Sequence, residues 1–209
     1  MRLAHLLALA AFLVGHPALA ESNPAKVRLT ERSGKGAVLI RVPPQPVPYA
    51  LQFSKNGSSG FLSRVYLMGV KPGTAWIART LGPGRYRLDS MWQQGHWSAC
   101  LEGGTFEFEV KPGRIAYIGT LPTDLILTDL QRQAVAAGKT TQTVGVSYYL
   151  SHNKTVVPPL GDRDEAGTGA AKSFAEQGMN GSGELVELAP VRDVTFGTSK
   201  SGKAIKVCG

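Results

Sequence analysis

The chemically richest stretch of the chain is residues 91–100, Met91-Trp92-Gln93-Gln94-Gly95-His96-Trp97-Ser98-Ala99-Cys100. A thioether, an imidazole and a thiol this close together form a donor set that copper accepts. Two facts weigh against a metal. The Cys100 thiol is expected to pair with Cys208. Of the four histidines, His5 and His16 fall in a leader segment, so only His96 and His152 are left to the body of the chain. We expect no metal and no cofactor. The stretch then reads in one of two ways. Either it is packing beside a disulfide, or it is a binding surface made of Trp92, His96 and Trp97 with Arg85 and Arg87, whose indoles stack on a sugar or cover an apolar partner.

Other patterns fall short of a catalytic set. A hydrolytic centre needs a nucleophile, a base and a group that orients the base. No G-x-S-x-G elbow exists, but serines are numerous and His96 and His152 are available as bases. A hydrolase with its site near either histidine therefore stands as an alternative. Residues 197–204, Gly197-Thr198-Ser199-Lys200-Ser201-Gly202-Lys203-Ala204, nearly match a phosphate-binding loop. They fail at Ala204, where a hydroxyl should hold Mg²⁺, and the five residues that follow are too few for the helix such a loop opens. Asp162, Asp164 and Glu165 do not follow calcium-loop spacing and read as a solvated loop. Asn56-Gly57-Ser58, Asn153-Lys154-Thr155 and Asn180-Gly181-Ser182 are glycosylation patterns, which fit exposed loops.

The elements around these residues begin with residues 1–20, MRLAHLLALAAFLVGHPALA. A basic start, an apolar run too short to span a bilayer, a Gly15/Pro17 break and Ala18-Leu19-Ala20 make a secretory signal peptide. The expected location is the periplasm or the exterior, and no transmembrane segment is expected after the leader. The whole chain carries 23 Lys and Arg against 15 Asp and Glu, a net +8, of which the leader holds one. The charge is spread along the sequence, which favours solubility and allows weak attraction to headgroups, anionic polysaccharide or nucleic acid; no nucleic-acid motif supports specific recognition. Cys100 and Cys208 are the only cysteines. In an oxidising compartment they are expected to pair, closing a loop worth about 4–5 kcal/mol in the chain-entropy model. Free thiols and an intermolecular bridge are the alternatives.

Residues 37–121 read as antiparallel sheet. Period-two runs recur around Val38, Leu51, Val65, Leu88, Phe106 and Ile115, and Asn56-Gly57, Lys71-Pro72-Gly73, Gly82-Pro83-Gly84, Gly103-Gly104 and Lys111-Pro112-Gly113 punctuate them. Pro-Gly fits the centre of a type II turn. This spacing predicts a sandwich or barrel. Residues 70–81 and 110–121 echo each other (VKPGTAWIARTL, VKPGRIAYIGTL) and predict two similar turn-then-strand units in one sheet. The proline-rich residues 42–48 are expected to cross between sheets in an extended form. Residues 124–137 fit either a strand or a short helix, and a hairpin through 137–140 is preferred. Residues 161–183 read as a Gly-rich mobile linker with at most a helical turn around 172–177. Short strands are expected at 184–188, 191–196 and 204–207. The expected organisation is a signal peptide at 1–20, a β-sandwich at 21–160, a linker at 161–183, and strands at 184–209 tied back to the sandwich.

The run Gly82-Pro83-Gly84-Arg85-Tyr86-Arg87-Leu88, then residues 106–110, Lys111-Pro112-Gly113 and Tyr117-Ile118-Gly119, resembles a signature of small bacterial envelope proteins of unknown function. These carry a transthyretin-like or carboxypeptidase-regulatory-like β-sandwich; an immunoglobulin-like sandwich is the neighbouring possibility. The resemblance covers about residues 65–121. It implies a fold and no catalytic residues. Many such proteins are lipid-anchored, whereas this chain lacks the lipidation cysteine. The function expected is a non-enzymatic, exported binding or structural module of the bacterial envelope, its partner a protein or an anionic glycan. Beside the hydrolase stands one more alternative, an assembly partner that pairs through a sheet edge.

Overall fold

The computed structural model describes residues 24–30, 32–46, 48–56, 64–93, 97–100, 106–136, 157–179 and 188–190. It is mainly β. Nine strands are described, β1 Gly36–Arg41, β2 Tyr49–Lys55, β3 Arg64–Val70, β4 Trp76–Leu81, β5 Gly84–Gln93, β6 Trp97–Cys100, β7 Glu107–Val110, β8 Ile115–Thr120 and β9 Leu188–Pro190, with helices α1 Thr123–Ala136 and α2 Glu165–Gly178. One sheet has the order β4-β1-β8-β9. The other has the order β3-β2-β5-β6, with β7 also on β5. The far side of β5 is shared: β7 pairs with its first residues and β6 with its last. Among the described residues no helix is long and apolar enough to cross a membrane.

The second sheet alternates as its sequence demands. Tyr49, Leu51 and Phe53 on β2, Leu88 on β5 and Phe108 on β7 point inward. They meet Val38, Ile40, Ile77 and Ile118 of the first sheet in one core. At its centre Phe53 meets Phe106 and Phe108 edge-on, at ring separations of 6.2 and 5.5 Å, an arrangement worth about 0.5–1.5 kcal/mol per pair beyond burial. β1 is different. All of Gly36 to Ile40 is buried, because both faces of the first sheet are covered. Outward-facing Ala37 and Leu39 lie in a second apolar cluster with Val27, Leu29, Tyr117, Ala171 and Ala175. This explains why β1 is an unbroken apolar run rather than an alternating one.

The twin Lys-Pro-Gly units are equivalent crossings. Each leaves the second sheet, by β3 or by β7, and enters the first, as β4 or as β8, and the two entering strands flank β1. The turns close through Thr74 N–H to the Lys71 carbonyl at 3.1 Å and Arg114 N–H to the Lys111 carbonyl at 3.4 Å. Gly73 and Gly113 hold φ of 78° and 65°, as the third position of a type II turn requires. Between β1 and β2 the chain changes from the first sheet to the second, the crossing expected of this stretch.

Three expectations are corrected. The first sheet is mixed rather than antiparallel throughout: β8 runs parallel to β1, and β9 parallel to β8. The turn after β7 delivers the chain to the end of the first sheet at which β1 also begins, so β8 must run alongside it. Residues 123–136 form α1, the helix of the two readings and not the strand that a hairpin through 137–140 would need. Ile126 is buried and Leu127 packs on the main core, while Leu125 and Val135 stay exposed. The supposed mobile linker is, over Glu165–Gly178, a helix. Asp164 caps it by accepting from Gly167 N–H at 2.8 Å. Ala171, Ala175 and Met179, four apart, give it a buried stripe against the first sheet. The expected hairpin through 137–140 and the strands at 191–196 and 204–207 lie outside the described residues; the C-terminal strand that is described is β9.

Candidate functional site

The outer face of the second sheet carries the polar side chains that sequence and structure bring together. On β5, Arg85, Arg87 and Asp89 point away from the core between Tyr86 and Leu88. The pairing of β2 with β5 slips after Phe53↔Leu88, so that Gln52 meets Ser90 and Asp89 is left without a partner across the ladder. Asp89 is thus the extra residue of a β-bulge, a device that re-aims a side chain. Its carboxylate receives the Ser54 hydroxyl on one oxygen and Arg87 Nε at 2.9 Å on the other. One row further, Glu107 of β7 accepts from Asn56 Nδ2 at 2.8 Å and lies 3.7 Å from an Arg85 terminal nitrogen. Arg85 pairs across the ladder with Glu109, and Arg87 with Glu107. Ser54, Asp89 and Glu107 are buried; the two arginine side chains are 35% and 27% exposed.

These contacts decide what the face can do. The Ser54 hydroxyl donates to a carboxylate clamped by a guanidinium, and a carboxylate is too weak a base to activate an alcohol without a further group. Each arginine spends one nitrogen on its carboxylate, out of five N–H donors. The buried carboxylates therefore hold two guanidiniums in fixed positions with donors to spare, which suits a carboxylate or sulfate on a partner.

Of the residues singled out in the sequence, Arg85, Arg87 and Trp92 lie on one strand. Trp92 pairs with Ser98 and Trp97 with Gln93, so the two tryptophans occupy adjacent rungs of the ladder. The described structure of Trp92, Trp97 and Cys100 is that of the backbone; His96, His152 and Cys208 lie outside the described residues. Ser54, Asn56, Asp89 and Glu107 were missed as site residues. The alternation of Asp89 and Glu107 with apolar neighbours was the available signal.

A second polar group fastens α2. Asp162, at φ 50°, takes Arg41 at 3.0 Å and the Thr120 hydroxyl at 2.6 Å, and its carbonyl accepts from Tyr117 at 3.0 Å. Burial, then the Asp162 charge, raise the Tyr117 phenol pKa. The Arg41 guanidinium sits 5.8 Å from the Trp76 ring centre, and Trp76 stacks on Phe174 of α2 at 4.8 Å and 12°. Asp162, Asp164 and Glu165 are exposed, as expected of a solvated loop, and Asp162 in addition fastens this segment to the first sheet.

Comparison of the chain with protein-family models, with curated proteins and with solved structures gave no match.

Proposed function

We propose that this chain is an exported, non-enzymatic β-sandwich module of the bacterial envelope, and that the outer face of its second sheet binds an envelope partner, a protein or an anionic glycan. The observation that carries the reading is the pair of guanidiniums on β5, held by buried carboxylates with donors left over. The sandwich is supported by the single core built from both sheets. Export rests on residues 1–20, and we propose with it a bond between Cys100 and Cys208, which thiol titration with and without reductant checks. The resemblance to envelope proteins with transthyretin-like sandwiches agrees with the sandwich and with export.

The test is retention of the mature protein, residues 21–209, on immobilised acidic envelope polysaccharide and on envelope proteins, for the wild type and for Arg85→Ala and Arg87→Ala. Retention weakened by both variants supports the reading. No retention on either matrix overturns it. So does turnover of ester, peptide or glycoside substrates that Ser54→Ala abolishes, since that would make the Ser54–Asp89 contact catalytic.

A further inference from the structure

The sequence spreads its positive charge along the chain, but the fold gathers it. Strand register identifies which residues share an end of the molecule. β1 starts at Gly36, opposite the last residue of β4, and Ala37 lies beside Ile115, the first of β8. Gly113 N–H bonds to the Lys35 carbonyl, and Ala37 N–H to the Arg114 carbonyl, both at 2.9 Å. In the second sheet Gly84, the first residue of β5, pairs with Val110, the last of β7. The Lys55 stem lies against Gly84, and Asn56 N–H bonds to the Arg85 carbonyl at 2.8 Å. Lys35, Lys55, Arg85, Lys111 and Arg114 therefore share one end, where the described acids are Glu107 and Glu109. Lys35, Lys111 and Arg114 are exposed.

The other end differs. It lies the length of β8 away, about 20 Å, and carries Asp124, Asp162, Asp164 and Glu165 against Arg41, Lys71 and Arg163. Among the described residues the charge is thus unevenly placed along the strands, with a large excess of cations at one end and a near balance at the other. The cations come from four separate turns and strand ends, not from a line along one groove. A planar array of negative groups meets all of them at once, whereas a single extended polymer tracks only some.

We propose that this basic end docks on a planar anionic lipid surface, with the strands directed away from the membrane. The docking is peripheral and electrostatic, with headgroup phosphates as the groups recognised; it shares Arg85 with the outer-face site, whereas Arg87 belongs to that site alone. Each Lys or Arg near such a surface contributes about a fivefold gain in partition, and screening within a Debye length of about 8 Å at physiological salt limits the effect to cations at this end.

The twin Lys-Pro-Gly turns supply an internal control, because Lys111 is at the basic end and Lys71 at the opposite one. The experiment is co-sedimentation of the mature protein with phosphatidylcholine vesicles, with and without phosphatidylglycerol, at low and high salt. Binding is expected only to the anionic vesicles and is lost at high salt. Lys35→Gln with Lys111→Gln should lower the partition about twenty-fivefold, while Lys71→Gln, which removes the same charge from the same motif, should change it less than about twofold. Equal losses from Lys71→Gln and Lys111→Gln would reduce the effect to net charge and overturn the proposal. Absence of binding to anionic vesicles would also overturn it. Arg87→Ala, at the outer-face site and off this end, should leave vesicle binding intact, so failure of one reading is distinguishable from failure of the other.

Discussion

Gly119→Ala is expected to destabilise the protein severely although it adds one methyl group. Gly119 sits on β8 at φ +96°, where an L residue pays roughly 1–2 kcal/mol. A methyl there would lie 2.5 Å from the Gly161 carbonyl oxygen and 2.6 Å from Arg163 Cγ, so the strap at 161–163 must lift. That strap is held by Thr120 N–H to the Gly161 carbonyl at 2.8 Å and Gly161 N–H back to the Thr120 carbonyl at 3.0 Å. Losing both costs about 1 kcal/mol each, and the total comes to about 3–4 kcal/mol. With a slope of about 2 kcal/mol per molar urea, the unfolding midpoint should fall by about 1.5–2 M. Gly169→Ala is the matched control. It lies on an exposed part of α2, and nothing comes within 4 Å of the added carbon, so helix propensity should raise stability by about 1 kcal/mol. A Gly119→Ala midpoint within about 0.5 M of wild type would refute the argument that the strap rests on this strand without room for a side chain.

Three further outcomes follow from buried contacts. Tyr49 meets the Thr123 hydroxyl at 3.1 Å; burial and, less, the Asp124 carboxylate push its phenol up to about 12, against the pull of the Thr123 hydrogen bond. Because folding favours the neutral phenol, its contribution is intact below the unfolded value of about 10 and is lost as pH climbs through 12, a loss on the order of 2–3 kcal/mol; urea midpoints should fall over that window, and less so in Tyr49→Phe. Phe174→Ala removes the ring stacked on Trp76 and should cost about 2 kcal/mol, with a shift in tryptophan emission; an unchanged midpoint would mean that α2 is not held by this stack. Asp89→Ala strands both Ser54 and Arg87 and should cost about 2–3 kcal/mol, against about 1 kcal/mol for Ser54→Ala. Equal losses in denaturant titrations would contradict that asymmetry.

The parts of the fold legible in the sequence are those whose chemistry is local. Lys-Pro-Gly prescribes its own turn, and the alternation through residues 49–54 and 106–110 marks strands with one buried face. The echo between residues 70–81 and 110–121 marked two equivalent units in one sheet. What escaped depends on partners distant in sequence. Leu125-Ile126-Leu127 suits a strand as well as a helix until Ile126 is placed on the core. The glycines and alanines of α2 read as a linker because small residues look loose in isolation; against a sheet, Ala171 and Ala175 permit close approach. The parallel pairing of β1 with β8 leaves no local signature. At the site, Arg85 and Arg87 were legible as outward cations, but the bulge that aims Asp89 at Ser54 exists only in the register between two strands.

The position of β1 also sets the order in which the chain can fold. Its two neighbours are distant in sequence: Ala37 pairs with Thr80 on one side and with Ile115 on the other. The β5–β7 and β5–β6 ladders close over much shorter loops, so loop-closure entropy favours forming that part of the second sheet first. Until the second Lys-Pro-Gly turn has been made, the unbroken apolar strand Gly-Ala-Val-Leu-Ile has at least one open edge, the kind of edge that recruits other chains. A chain cut before Ile115 would keep that edge open permanently. Aggregation during refolding should therefore depend on how quickly β8 reaches β1, and not on the stability of the finished molecule.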